Sequence, residues 1–265
     1  MSDKKFNSDD SYDIIESNIA FLNAQFEEHL THDEVSPNAL RSYYVDYYLA
    51  QVNNGGFSQF VYNSGWQPQT IQYLCEGLEA MGAEKHLELL TKAAQILDQL
   101  GPDRLQAFFE SDYFGENEER DILNKYDDLF FELSEQEDLI ELNAKWLRQL
   151  PNIVVISVDE AKAELRRRAD SITNRDARIA ESLANEPRYT KLIRALCQTA
   201  GHELNRVTAG DPTYEHDGRQ MIAWHFLSDK GHHYMVDVDG KAFMFNGDTD
   251  EGICEIEVSD DFANE

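Results

Sequence analysis

Apolar residues recur at helical spacing through the first 150 positions. Ile15, Ile19, Leu22 and Phe26 mark one face of a helix predicted over residues 12–30. Ser36-Pro37 opens a second, with Ser as N-cap and Pro in the first turn. It carries Leu40, Tyr43, Tyr44, Tyr47 and Tyr48 and is predicted to stop at Asn53-Asn54-Gly55-Gly56. A short turn or helix from Phe57 to Tyr62 follows, then helices from Pro68 to Gly82, over 83–100 and over 102–114. Ile122, Leu123, Tyr126, Phe130 and Leu133 predict a helix over 117–133. Ser134-Glu135-Gln136-Glu137 fits a capping box for the next, whose apolar face is Leu139, Leu142, Trp146 and Leu150.

Pro151 marks a boundary. Ile153 to Val158 is a β-branched run, read as a strand or a buried connector. Two helices are expected over 159–185 and 187–207, split at Pro187. After Gly210 the period changes. Met221–Leu227, His233–Val238, Lys241–Phe245 and Ile253–Val258 read as strands, and Asp239-Gly240 is a hairpin signal. The expected class is α+β: an all-helical domain over 1–151, then a domain over 152–265 of helices and a small antiparallel sheet. No internal repeat or low-complexity linker interrupts the chain.

The chain has 265 residues, 42% hydrophobic and 11% aromatic, enough to bury a core and too many for a disordered chain. A mean hydropathy of −0.57 and no long apolar run argue against a membrane span. Met1–Tyr12 is polar and lacks the apolar core of a secretory signal. Cys75, Cys197 and Cys254 are odd in number and widely spaced, which argues for a reducing compartment. The expected location is the cytoplasm.

The net charge of −28 changes the picture most. Such a field repels nucleic-acid phosphates and anionic lipid and attracts basic proteins. A basic protein partner is therefore expected, with no direct nucleic acid and no membrane; the competing explanation is solubility. Residues 1–150 hold 29 acidic and 10 basic residues, whereas 151–200 hold 7 and 9. That middle segment carries Arg166, Arg167, Arg168, Arg175, Arg178, Arg188, Lys191 and Arg194. It reads as a solvated face, or as one that docks on the acidic parts.

Acidity is densest over 110–141, with 13 acids against two bases, Arg120 and Lys125. Glu110 and Asp112 lead into the candidate partner-binding surface. That surface comprises Glu116, Glu118, Glu119, Asp121, Asp127, Asp128, Glu132, Glu135, Glu137, Asp138 and Glu141. The apolar residues between them keep helical spacing, so the acids are expected on outward faces. Asp121, Asp128 and Glu132 are expected on one helix face. Carboxylates one turn apart lie about 5–6 Å from each other, and duplex DNA carries one charge per ~1.7 Å of axis. Adjacent acidic helices could approach that density.

The run Tyr47-Tyr48-Leu-Ala-Gln-Val-Asn53-Asn54-Gly55-Gly56-Phe57-Ser-Gln59-Phe60-Val-Tyr62-Asn63-Ser-Gly65 resembles the DNA mimic protein 19-like family. There a tyrosine-rich helix runs into Asn-Gly-Gly-Phe-x-Gln-Phe. The spacing of Leu74, Leu78, Met81, Gly82 and Ala83 is similar to that family too, and the resemblance covers about residues 35–150. It implies a helical domain that displays carboxylates like a phosphate backbone, occupies the site of a DNA-binding protein and forms a homodimer. It fixes no individual carboxylate and has no counterpart in the last 115 residues or so. The motif itself is read structurally. Gly55 and Gly56 end a helix, Asn53 and Asn54 bond local backbone, and Phe57, Phe60 and Tyr62 fill a core.

Enzyme signatures are missing: no phosphate-binding glycine loop, no dinucleotide fingerprint, no nucleophile elbow, no His-Glu-x-x-His and no cysteine pair at zinc spacing. His232 and His233 are adjacent and would point to opposite faces of a strand. Asn246-Gly-Asp248-Thr-Asp250-Glu-Gly252 with Glu257 is similar to a calcium loop, but its glycine falls one place late, so a hairpin loop is expected. No cofactor and no metal are expected. Two function classes lead: a DNA-mimicking sequestrator of a basic DNA-binding protein, and an immunity or antitoxin-like inhibitor of a basic nuclease or other toxin; an enzyme with a site in the tail sheet is a weaker third reading.

Overall fold

The computed structural model describes residues 1–258 other than Asp112, Phe114 and Asp217. It is α+β: helices followed by a five-stranded antiparallel sheet. The chain divides into two compact units, Met1–Arg175 and Asp176–Glu265.

The first unit begins with α1 (Asp3–Phe6) and α2 (Ser11–Glu27), whose N-cap Asp10 accepts from Tyr12 N–H. A 3-10 turn (His32–Glu34) carries a capping box between Thr31 and Glu34. The central helix α3 (Pro37–Ser64) buries Leu40, Val45, Tyr48, Val52, Phe57, Phe60 and Val61. Around it pack α4 (Pro68–Met81), α5 (Glu84–Leu100), α6 (Pro102–Glu110), α7 (Glu118–Leu123), a 3-10 turn (Asn124–Tyr126), α8 (Asp127–Ser134) and α9 (Leu139–Gln149). At Gly77 on α4 a Cβ would come within 2.8 Å of the Arg41 carbonyl oxygen, so the glycine lets α4 lie close on α3. Buried Asn143 donates to the Ser42 carbonyl at 3.1 Å, and Asn18 to that of Ala39 at 2.9 Å, tying α9 and α2 to α3.

The helix expected to stop at Gly55-Gly56 breaks there and resumes at once. Gly56 adopts φ +83°, which glycine tolerates, and helical geometry restarts at Phe57. Phe57 and Phe60 are fully buried, as the motif suggested, and Tyr62 is partly buried. Asn53 and Asn54 are exposed and form no side-chain hydrogen bond among the described residues. The helix expected over 102–114 ends at Glu110, where Ser111 leaves helical geometry and its hydroxyl donates to the Phe108 carbonyl. The run over 117–133 is interrupted by the 3-10 turn.

The segment after Pro151 stays with the first unit. Ile156 N–H donates to the Met1 carbonyl and Asp3 N–H to that of Ile156, at 2.9 and 3.0 Å. The β-branched run is thus a connector with one isolated bridge to Ser2. α10 (Val158–Asp170) follows, with a capping box between Ser157 and Glu160, and packs on α2. The single helix expected to Asn185 is two, because Ser171 closes α10 by donating to the Arg168 carbonyl before α11 (Arg175–Ala184) begins.

In the second unit α12 (Arg188–Ala200) ends at Gly201, φ +70°. This is well short of the expected residue 207, and it frees the next residues to form β1 (Leu204–His216). β2 (Arg219–Ser228), β3 (Gly231–Val238), β4 (Lys241–Asn246) and β5 (Gly252–Glu257) complete a meander in sequence order. Asp239 and Gly240 both have positive φ, as the predicted two-residue hairpin requires. Leu192, Ile193, Leu196 and Cys197 of α12 pack on Phe226, Met235, Ala242 and Met244. Tyr189 stacks on Trp224 at 3.8 Å. On the opposite sheet face the Tyr214 and Tyr234 hydroxyls meet at 3.1 Å, and the His216 ring reaches Phe243 and Phe245. The end of β1 therefore curls over that face, although one or two strands lie between the partners in the sheet.

Candidate acidic interface

Leu123, Phe130, Leu139 and Leu147 point inward from α7, α8 and α9, which turns the intervening acids toward the surface. The structure nevertheless sorts the eleven candidates into three groups.

Three carboxylates cap helices. Asp127 Oδ1 accepts from Phe57 N–H at 2.7 Å, capping the restart of α3. Glu137 accepts from Lys85 N–H and His86 N–H at 3.0 and 3.2 Å, capping α5, whose own N-cap residue is Ala83. Asp138 is the N-cap of α9, accepting from Ile140 and Glu141 N–H at 2.9 and 3.1 Å. The capping box expected at Ser134 is therefore absent. Ser134 closes α8 instead, donating to the Phe130 carbonyl, because the chain needs Glu135–Asp138 to turn.

Three more are neutralised by neighbouring arginines. Arg104 contacts Glu119 at 2.7 Å and Glu118 at 3.3 Å. Arg120 contacts Asp121 at 3.2 Å. The other five, Glu116, Asp128, Glu132, Glu135 and Glu141, are exposed and make no ion pair or side-chain hydrogen bond among the described residues. Glu110, outside the eleven, accepts from Gln106, and Asp112 lies outside the described residues.

Asp121 does not share a helix face with Asp128 and Glu132. It stands on α7, and the 3-10 turn separates it from α8. The face holding Asp128 and Glu132 continues to Glu135, the C-cap of α8, which keeps αR geometry. At about 100° per residue these three positions fall within about 60° of one another, on the side opposite buried Phe130. Burial raises the Asp127 carboxyl above its ordinary range, the Phe57 N–H opposes that shift, and the neighbouring Asp128 charge adds to it.

The basic middle segment finds other partners. Arg175 pairs with Glu28, Arg168 with Glu164 and Gln25, Arg188 with Asp237 and Arg194 with Glu186. None of these partners belongs to the eleven acids.

The helix that breaks at Gly55-Gly56 and the acid that closes the break lie in one segment. Residues 33–150 match the family model of DMP19-like protein. The DMP19-like segment runs from the first 3-10 turn to the end of α9 and holds all eleven candidate acids. Neither the curated proteins nor the solved structures yield a match. Inside the segment the Asn-Gly-Gly-Phe-x-Gln-Phe motif works as a helix junction: Gly56 makes room, Phe57 and Phe60 anchor, and Gln59 donates to Gln51 at 3.1 Å.

Beyond the DMP19-like segment, His225 Nδ1 and His232 Nε2 lie 3.1 Å apart on one sheet face, and Ser228 Oγ lies 2.9 Å from His233 Nε2 on the other. Sequence reading missed the first pair because only the strand register, with Leu227 opposite His232, reveals it. Residues 247–251 form the β4–β5 loop, where Asn246 Oδ1 accepts from Asp248 and Thr249 N–H. No group of three or more His, Cys, Asp and Glu among the described residues is arranged to hold a metal ion. No helix among them is long and apolar enough to cross a membrane.

Proposed function

We propose that this chain is an acidic binding protein that presents carboxylates as phosphate stand-ins and occupies a basic DNA-binding protein. The observation that carries this reading is the un-neutralised row Asp128, Glu132 and Glu135 on α8, with Glu116 and Glu141 also exposed in the same DMP19-like segment. Like charges one turn apart cost a few tenths of a kcal/mol per pair. A partner cation relieves that cost on binding. The excess of acid over base steers a basic protein into encounter, with association that weakens as salt rises. A binding role also accords with the lack of catalytic signatures in the sequence.

The test is capture of partners by the tagged full chain at low and high salt. Wild type is compared with the Asp128→Lys, Glu132→Lys, Glu135→Lys variant, and captured proteins are identified by mass spectrometry. The expected result is a basic DNA-binding protein held only by wild type, at low salt, and released by added duplex DNA. Equal capture by the charge-reversed variant removes the α8 surface from the reading. A nuclease or other toxin in place of a regulator moves the protein to the inhibitor class.

A further inference from the structure

Large apolar side chains flank the acidic row. Leu129 is 46% exposed and Phe131 47%, although the helix between them buries Phe130 completely. Among the described residues neither belongs to a buried core cluster, and the ring contact of Phe131 is with the edge of Phe130, at 5.6 Å. At about 100° per residue they stand on either side of Phe130, one on each shoulder of the Asp128–Glu132–Glu135 row. Isolated exposed apolar residues are ordinary. Two on one eight-residue helix, bracketing its unpaired carboxylates, make a surface of mixed character.

We infer that α8 docks a basic amphipathic segment of a protein, whose cations meet Asp128, Glu132 and Glu135 while its apolar side chains cover Leu129 and Phe131. This rests on the acidic-interface reading and narrows the partner within it. Charge selects the occupant. A second copy, related by a two-fold axis, would set the same carboxylate row against itself, and no other base lies within residues 121–141 than Lys125. Nucleic acid is repelled outright. A plain polycation would satisfy the carboxylates and leave both apolar side chains wet. Only a chain carrying both chemistries uses the whole surface, and its apolar share of the binding persists when salt screens the charges.

Two synthetic peptides of equal length and equal positive charge provide the test. One is built from lysine and serine, the other from lysine and leucine at helical spacing. Binding to the full chain is followed by fluorescence anisotropy at low and high salt. The leucine peptide is expected to bind about tenfold tighter and to keep that advantage at high salt. Leu129→Ser with Phe131→Ser should abolish the advantage while leaving the serine peptide's affinity unchanged, with an unaltered urea midpoint confirming the fold. Equal affinities in wild type, or an advantage that survives the double variant, overturn the inference. So does a sedimentation-measured dimer that the double variant dissolves, since it puts a second copy on this face. The Asp128→Lys, Glu132→Lys, Glu135→Lys variant separates the two readings. Unchanged binding of both peptides defeats the acidic interface itself. Loss of both, without a leucine advantage in wild type, defeats only the apolar part.

Discussion

Asp127 reaches across 70 residues to accept the Phe57 N–H at 2.7 Å, and its carboxylate fills the space a Cβ on Gly56 would need. The helix junction and its cap are therefore one device. Asp127→Ala should cost about 1–2 kcal/mol by exposing an unsatisfied helix N-terminus. Gly56→Ala should cost about 2 kcal/mol or more, since φ is +83° and the new methyl would stand 2.6 Å from Asp127 Oδ2. The double variant should lose less than the sum, because removing Asp127 removes the collision. Urea denaturation of the four proteins checks this; strict additivity would mean the two residues act separately.

The same measurement sorts the acids by role. Glu137→Ala should lower stability by about 1 kcal/mol, since it uncaps α5 at Lys85 and His86. Glu132→Ala, one turn away from any cap, should leave stability unchanged or slightly raised by relieving repulsion with Asp128. A reversed order of effects would contradict the division into structural and displayed carboxylates.

His86 is fully buried against Tyr48 and Phe130, and neither ring nitrogen has a hydrogen-bond partner among the described residues. Burial lowers its pKa below the ordinary 6.5, with the Glu137 charge opposing. The folded ring stays neutral where the unfolded one takes a proton, so stability should fall as pH drops below 6.5. His86→Leu removes that dependence and the uncompensated polar burial. It should stabilise the protein by about 1 kcal/mol at neutral pH and by more in mild acid, as read from denaturation midpoints across that range.

Asp46 carries the opposite sign. Burial raises its carboxyl from 3.8 to about 6, against the Tyr12 hydroxyl, which lowers it. The folded state holds the proton more tightly, so this contribution is full below pH 3.8 and is lost as pH rises through about 6. Asp46→Asn should therefore stabilise by about 1–2 kcal/mol at neutral pH, allowing for partial solvent screening, and by nothing near pH 4. A gain of equal size at both pH values would assign it to some cause other than ionisation.

The helical first half was legible because its apolar period is strong and its stops are local: Gly82 and Gly101 close helices where the chain carries glycine. The Asp239-Gly240 hairpin was legible for the same reason. β1 was not, since its exposed positions and apolar Val207 continue the period of α12 past Gly201. The eleven acids could be found by density alone, but their roles could not. Asp127, Glu137 and Arg104 meet partners that are 70, 51 and 15 residues away, and no local pattern encodes such a meeting. Ser134 misled because a capping box is a local signature, and the turn through Glu135–Asp138 placed the start of α9 one motif later.

The junction at Gly56 also constrains how this protein can be made. Its cap is supplied by a residue far downstream, so during synthesis Phe57–Ser64 must wait, uncapped, until α8 has left the ribosome. Truncation before Asp127 would strand Phe57 and Phe60 without their closing partner, in a nascent chain whose hydrophobic anchors are already present. Biogenesis of the helical unit is thereby tied to arrival of the same helix that carries its exposed negative charge.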